Sequence, residues 1–121
     1  MKVIPTRRFK KDPDFYIRKR KYLKILDDIK NVTDELVNGN LIGDRLDDIE
    51  LNEGTAAYKV RIANTSTKSG KSNGFRLIYY AVLNEKVYLL SIYSKKDDNR
   101  ILNNQQIAML IKNVIEDIDD S

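Results

Sequence analysis

The 121-residue chain contains neither cysteine nor histidine. Without cysteine there is no disulfide framework and no thiolate nucleophile. Without histidine the usual proton shuttle near neutral pH and the commonest metal ligand are both missing. Acid–base chemistry must then fall to Lys, Tyr, Asp, Glu or Arg. A zinc site, which draws on Cys and His, is not expected, although carboxylates alone could still hold a hard cation. No run approaches the ~18 apolar residues that cross a bilayer. The start, Met1-Lys2-Val3-Ile4-Pro5-Thr6-Arg7-Arg8, turns to charge after two apolar residues, where a signal peptide would carry an apolar stretch. These absences lead us to expect a cytoplasmic protein with no membrane association, no metal and no other cofactor.

The length suits one domain spanning residues 1–121, and 41% of the residues are hydrophobic, enough for one core. The net charge of +4 is modest, but its distribution is uneven. Residues 1–30, 31–57, 58–100 and 101–121 carry +7, −6, +6 and −3 in turn. Blocks of this kind can place basic and acidic groups on separate surfaces, and a basic surface attracts polyanions.

Repeats, low-complexity tracts and linkers are absent, and there are only two prolines. Asp12-Pro13-Asp14 reads as a helix start, with Asp12 as N-cap and Pro13 at the first helical position. From there Tyr22, Leu23, Ile25, Leu26, Ile29, Val32, Leu36 and Val37 recur at helical steps up to Asn38-Gly39-Asn40. A break at Asn31 or Thr33 would make a helical hairpin. Residues 40–56 read as an acidic loop. Three strand-like runs follow, Ala57–Thr65, Phe75–Leu83 and Lys86–Ser94, with Asn84-Glu85 as a tight connection, and such close spacing predicts antiparallel neighbours. Val3–Phe9 could add an edge strand. Asn103 is a fair N-cap for a last helix whose stripe is Ile107, Leu110, Ile111, Val114 and Ile118. The expected fold class is α+β: an antiparallel sheet with the N-terminal helix or hairpin and the C-terminal helix packed on one face, the other face open.

Alternation along the strands then specifies that open face. With Tyr58, Val60 and Ile62 toward the helices, Lys59 and Arg61 point away. Arg76 and Tyr80 follow from the second strand. In the third, Tyr88, Leu90 and Ile92 are expected in the core, leaving Val87, Leu89, Ser91 and Tyr93 outside, with Lys95 in phase beyond. Four cations and two tyrosines without a carboxylate are costly to gather unless an anion sits among them. The loop Lys68-Ser69-Gly70-Lys71-Ser72-Asn73-Gly74 contains Gly-Lys-Ser but lacks the earlier glycine and precedes a strand, so it is no Walker loop. Lys71 instead belongs to a basic loop able to track phosphates.

Three runs taken together, Tyr58-Lys59-Val60-Arg61-Ile62-Ala63, Gly70-Lys71-Ser72-Asn73-Gly74-Phe75-Arg76-Leu77-Ile78-Tyr79-Tyr80, and Leu89-Leu90-Ser91-Ile92-Tyr93-Ser94-Lys95-Lys96-Asp97, resemble the RelE/ParE superfamily of bacterial toxins. Within it they are most similar to the RelE/HigB-like branch, with its GKSGGFR-type run and YSK strand end. The likeness covers roughly residues 10–115 and is strongest over 58–97. It implies a RelE-like fold and the toxin of a type II toxin–antitoxin system, acting as a ribosome-dependent, metal-free mRNA endoribonuclease. Its partners would be the ribosome, mRNA and a cognate antitoxin. Matched residue by residue, the resemblance assigns Arg61 and Arg76 to the scissile phosphate and Lys95 or Lys59 to proton transfer. Lys71, Tyr80, Tyr93 and Lys96 would contact RNA, and the basic helix residues Arg18, Lys19, Arg20 and Lys21 would grip ribosomal RNA. The chain departs from the pattern at Asn99-Arg100-Ile101-Leu102, where some relatives carry a tyrosine. Either Tyr93 or Tyr80 substitutes, or the activity is weaker or different. Two other readings share the basic face: a gyrase-inhibiting toxin of the ParE type, and a non-catalytic nucleic-acid-binding domain.

Overall fold

The computed structural model describes residues 1–82 and 85–119. A five-stranded sheet runs in the order β1 (Lys2–Pro5), β5 (Lys86–Ser94), β4 (Phe75–Val82), β3 (Thr55–Ile62), β2 (Asp44–Arg45). The helices are α1 (Arg7–Arg20), α2 (Ile25–Val37) and α3 (Asn104–Asp119). The three long strands form the antiparallel meander expected of their spacing. β1 lies parallel to β5, so the sheet is mixed rather than antiparallel throughout. The expected tight connection falls on Asn84, which with Leu83 lies outside the described residues.

The helices do not share one face. α1 and α2 bury Phe9, Tyr16, Ile25, Ile29, Val32 and Leu36 against Val60, Ile62, Phe75, Leu77 and Tyr79. α3 lays Ile107, Ile111 and Val114 on the other side, against Ala57, Ile78, Tyr80, Tyr88 and Leu90. The sequence accounts for this. β4 reads Phe-Arg-Leu-Ile-Tyr-Tyr-Ala-Val, apolar at nearly every position, and all but its last residue are buried. Such a strand needs cover on both faces. The face expected to be open is therefore closed over most of its length by the C-terminal helix.

β5 departs from strict alternation. Its register against β4 shifts between Ile78, opposite Ser91, and Tyr79, opposite Leu89, so that Leu90 is the extra residue of a β-bulge. Val87, Leu89 and Ile92 join the α1–α2 core, while Tyr88, Leu90 and Tyr93 join the α3 core. The expected assignment of Val87 and Leu89 to the outer side and of Tyr88 and Leu90 to the helical-hairpin side is thus reversed. One inserted residue flips the parity of everything on one side of it.

α1 begins earlier than Asp12-Pro13 suggests. Thr6 is the N-cap, its hydroxyl accepting from Phe9 N (3.2 Å) and donating to Leu89 O (2.8 Å). The helix runs through Pro13. An interior proline forfeits a helical hydrogen bond, but here Asp12 is buried and uses its carboxylate elsewhere. One oxygen accepts from Ser91 Oγ and Ile92 N, both at 3.0 Å, and the other from Arg100 Nη2 at 2.8 Å. The next turn repeats the device: Tyr16 OH accepts from Ser94 N (2.8 Å) and donates to Asp97 Oδ2 (3.4 Å). β1 ends at Pro5, beside Leu89, so the Ile92 and Ser94 amides have no neighbouring strand on that edge. Two side chains of α1 stand in for it.

The hairpin break falls at residues 21–24 rather than at Asn31 or Thr33, which lie inside α2. Lys21 takes the left-handed conformation (φ 60°) that commonly ends a helix, and Tyr22 N donates to Tyr16 O at 3.1 Å. At the start of α3, Asn103 and Gln106 cap each other reciprocally, Gln106 N to Asn103 Oδ1 and Asn103 N to Gln106 Oε1, both at 2.8 Å. The helix start expected at Asn103 is where it is found.

Removing a buried carboxylate that three donors depend on should be costly. Asp12→Ala is expected to lower unfolding stability by about 3 kcal/mol, whereas Asp14→Ala, from an exposed pair with Arg18, should cost under ~1 kcal/mol. Urea titration of both variants checks the contrast. A second outcome concerns pH. Burial pushes the Tyr16 phenol up to about 12 from its ordinary 10.0. A raised phenol keeps its full contribution below pH 10 and loses it as pH rises toward 12, because the unfolded chain releases its proton first. Tyr16→Phe should shallow the alkaline loss of stability, leaving the share due to Tyr79 and Tyr93, both also raised by burial. It should also cost about 1–3 kcal/mol at neutral pH by stranding the Ser94 amide.

Candidate functional site

The strand register sets the geometry. Arg61 on β3 pairs directly with Arg76 on β4, and Arg76 pairs directly with Tyr93 on β5. These three residues form a row across the sheet on the α3 face, running from Tyr93 in the α3 core out to the exposed Arg61. Lys95 N donates to Gly74 O at 2.9 Å, placing Lys95 one row further out on the same side. Lys59 lies one row inward, roughly 7 Å along the strand.

Exposure divides the row. Arg61 is exposed, as are Lys71, Lys95 and Lys96, and Lys59 is half-buried. Arg76 is 8% exposed and Tyr93 2%. The Arg76 guanidinium folds back on the loop before its strand: Nη1 donates to Lys71 O (2.9 Å) and Phe75 O (3.0 Å), and Nη2 to Ser72 O (3.1 Å). Both Nη1 hydrogens are spent, which leaves one Nη2 hydrogen and the Nε hydrogen. Burial, and then the charge of Arg61, hold its pKa below the usual arginine value. Burial raises the Tyr93 phenol, with Arg76 opposing.

None of Lys59, Arg61, Lys71, Arg76, Lys95 or Lys96 is in a salt bridge among the described residues; the five ion pairs lie elsewhere. Like charges directly opposite on neighbouring strands destabilise a sheet. Arg61 and Arg76 are such a pair, and an oxyanion between them would convert repulsion into two charge-assisted hydrogen bonds.

Other basic residues reach the same end of the sheet through specific ties. Arg20 pairs with Asp97 (3.6 Å), just after Lys95-Lys96, and lies over the Phe15 ring. Lys24 N donates to Ser66 Oγ (3.0 Å), joining the α1–α2 turn to the basic loop. Tyr16 and Tyr22 pack on Phe75. The last turn of α1, Arg18 to Arg20, and the capping Lys21 are thereby tied to the segment after β5 and to the basic loop, on the α1–α2 side of the sheet. Arg18 is occupied by Asp14, while Lys19 and Lys21 make no ion pair among the described residues. Cations here also complement the negative end of the α1 dipole.

The loop from Thr65 to Gly74 is built rather than merely a hairpin tip. It holds two 3-10 turns, Thr65–Thr67, closed by an Asn64–Ser69 bridge, and Lys71–Asn73. Asp28 of α2 caps the first, accepting from Thr65 Oγ1 (2.8 Å) and Thr65 N (3.1 Å). Gly74 is required: a Cβ there would overlap the Ile62 carbonyl oxygen.

Tyr80 does not join the site. It pairs with Ala57 and Tyr88, two rows inward from Arg76, is 3% exposed and stacks on Tyr88 beneath α3. Neither Tyr80 nor Tyr93 is the exposed ring that an open face would have offered. Three features were not foreseen from the sequence. They are the loop-holding role of Arg76, the Asp12–Arg100 pair, and a cavity beside β3 walled by Asn31 and Glu35. Only the first had a signal, the arginine directly after a loop ending in Gly74-Phe75. Among the described residues no group of three or more carboxylates gathers where a metal could be held.

If the guanidinium organises the loop, Arg76→Lys should loosen it while the strand stays paired. Amide exchange at residues 71–74 is expected to quicken by roughly tenfold or more, the loss of about one charge-assisted hydrogen bond. Exchange at residues 77–81 should be unchanged, and hydrogen-exchange mass spectrometry reads both.

A scan against protein-family models finds no match for this chain, and a search of curated proteins also finds none.

Proposed function

We propose that this chain is the toxin of a type II toxin–antitoxin system, a ribosome-dependent mRNA endoribonuclease that inhibits translation. The supporting observation is the Arg61–Arg76 pair, set side by side on one face of the sheet without a carboxylate between them, with Lys71 held against Arg76 through its carbonyl and Lys95 one row further out. The resemblance over residues 58–97 points the same way.

In the proposed reaction the ribose 2′-oxygen attacks the adjacent phosphorus and the P–O5′ bond breaks. One fragment ends in a 2′,3′-cyclic phosphate and the other begins with a 5′-hydroxyl. The 2′-OH proton must leave, and the 5′-oxygen must gain one. Arg61 and the unspent edge of Arg76 would hold the non-bridging oxygens and stabilise the charge that grows on them. Lys95 or Lys59 would assist proton transfer. The buried Tyr93 phenol, with its pKa raised, is suited to donating a proton rather than taking one. Lys19, Lys21 and Lys96 would add sequence-independent grip on RNA. A cognate antitoxin with acidic segments is the partner complementary to this end of the molecule, and the cytoplasm is where ribosomes would be met.

One observation favours a second reading. Arg76 is buried and largely committed to its own loop, as a structural arginine would be. A non-catalytic nucleic-acid-binding domain with the same basic end is consistent with that.

Because Arg76 also holds the loop, Arg61→Ala is the cleaner variant. On inducible expression in bacteria, mapped 5′ ends of cellular mRNAs should appear within translated reading frames. Arg61→Ala should reduce them by roughly 10²- to 10³-fold, the usual effect of removing one charge-stabilising donor. Growth arrest without new ends would favour gyrase inhibition, and salt-dependent binding without cleavage would favour the second reading.

A further inference from the structure

Six large apolar side chains are exposed among the described residues, and three of them belong to α2 or the turn before it: Leu23 at 71%, Leu26 at 58% and Val37 at 52%. Leu26 lines a groove along the outer side of the α1–α2 hairpin. The groove encloses about 340 Å³ and is walled on the α1 side by Phe9, Lys10, Pro13, Asp14 and Ile17. A knob, Leu26, thus stands beside a hole, the gap over Pro13 and Ile17. Clustered apolar exposure of this kind marks a surface that meets something.

The two helices flanking this seam carry opposite charge. Residues 7–20 hold seven Lys/Arg and two Asp, whereas residues 25–37 hold four carboxylates and one Lys. Lys10, Lys11 and Arg18 are exposed on α1, and Asp27 and Asp34 on α2. Lys10, Lys11 and Asp27 make no ion pair among the described residues. The pairs that Arg18 and Asp34 do make, with Asp14 and Lys30, are exposed contacts of small worth. A positive strip beside a negative strip suits neither a polyanion nor a polycation along its whole width. It is complementary to its own copy after a half-turn.

We infer that the outer face of the α1–α2 hairpin docks a second copy of this chain, in a two-fold dimer whose axis runs parallel to the helices. That axis lays α1 of each copy along α2 of the other, opposite in charge and antiparallel in direction, so the helix dipoles also compensate. An axis across the helices would instead lay α1 on α1 and bring like charges together. Because Ile17 and Leu26 line one groove, they lie at the same height, and the half-turn brings Leu26 over the partner subunit's Pro13 and Ile17. The helices have 14 and 13 residues, so at about 1.5 Å per residue and about 10 Å per helix the face measures about 20 Å by about 20 Å. That is small for a specific interface, and the dimer is accordingly weak, on the order of micromolar or above. The Arg61–Arg76 row lies on the opposite face of the sheet, so pairing leaves it uncovered, and the inference stands apart from the ribonuclease reading.

Sedimentation equilibrium of the full chain from about 5 to about 500 µM should show reversible monomer–dimer exchange that tightens as salt is lowered. Leu26→Glu, at an exposed position where the fold of the monomer is not at stake, should weaken association by roughly tenfold or more. A charge swap then tests the orientation. Lys10→Glu with Lys11→Glu, and separately Asp27→Lys with Asp34→Lys, should each weaken self-association by roughly tenfold. An equimolar mixture of the two variants should recover the dimer, because every α1–α2 contact in that pair is again opposite in charge. Circular dichroism checks that each variant is folded. A monomer at every concentration, a dimer that Leu26→Glu leaves intact, or a mixture that fails to recover would overturn the inference. So would binding of the monomer to phosphatidylserine vesicles that Leu26→Glu abolishes, since the patch would then belong to a lipid surface.

Discussion

β5 outruns the strand beside it. β1 ends at Pro5, and the Ile92 and Ser94 amides face an edge where a sixth strand would be needed. Unpaired buried donors cost about 1–3 kcal/mol each, so the fold must answer them. It does so with the Asp12 carboxylate and the Tyr16 hydroxyl, one helical turn apart on α1. This substitution fixes α1 against the sheet edge and explains why the helix tolerates Pro13. Through Arg100, stacked 3.9 Å over the Phe15 ring and bonded to Asp12, it also fixes the connection that leads into α3. It hides the edge from other chains as well, a protection that exposed strands generally need.

The basic end of the molecule depends on that arrangement. Tyr16 reaches Asp97, Asp97 holds Arg20, and the chain between carries Lys95 and Lys96. Across the sheet, Arg76 folds the basic loop so that Lys71 faces the same region. The acidic residues Asp47, Asp48, Glu50 and Glu53 are in the loop that leads into the opposite end of β3. The alternation of charge along the chain has thus become separation in space. A cation group of this kind is stable without an anion only because most of its members reach water; Arg76, which does not, leans on three carbonyls.

Much of this was readable from the sequence, and the failures have physical causes. The meander, the α3 start at Asn103 and the placing of Arg61 and Arg76 on one face follow from periodicity and short connections, whereas the helical pair was expected with its break at Asn31 or Thr33 and has it at residues 21–24. The parity of β5 was not readable, because Tyr88, Leu90 and Ile92 look as core-like as Val87 and Leu89 and nothing local announces a bulge. The cover over the second face could have been read from β4, whose unbroken apolar run suits a strand buried on both sides. Asp12 was misread because Asp-Pro-Asp is a real capping signal, overridden here by tertiary hydrogen bonds. Glu35 and Asn31 carried no signal at all. On a helix they look like any solvated face, and only the brevity of β2 puts them beside an open edge.

In the proposed function the sheet end bearing Arg61 and Arg76 is where RNA is held. Chemical-shift mapping with a short 2′-O-methyl RNA, which cannot be cleaved by 2′-oxygen attack, tests that claim independently of activity. The predicted result is perturbation centred on Arg61, Lys71, Arg76 and Lys95, weakening steeply with salt as counterions compete. Perturbation centred on residues 44–54 or on the outer face of α3, with the Arg61–Arg76 row silent, would contradict it.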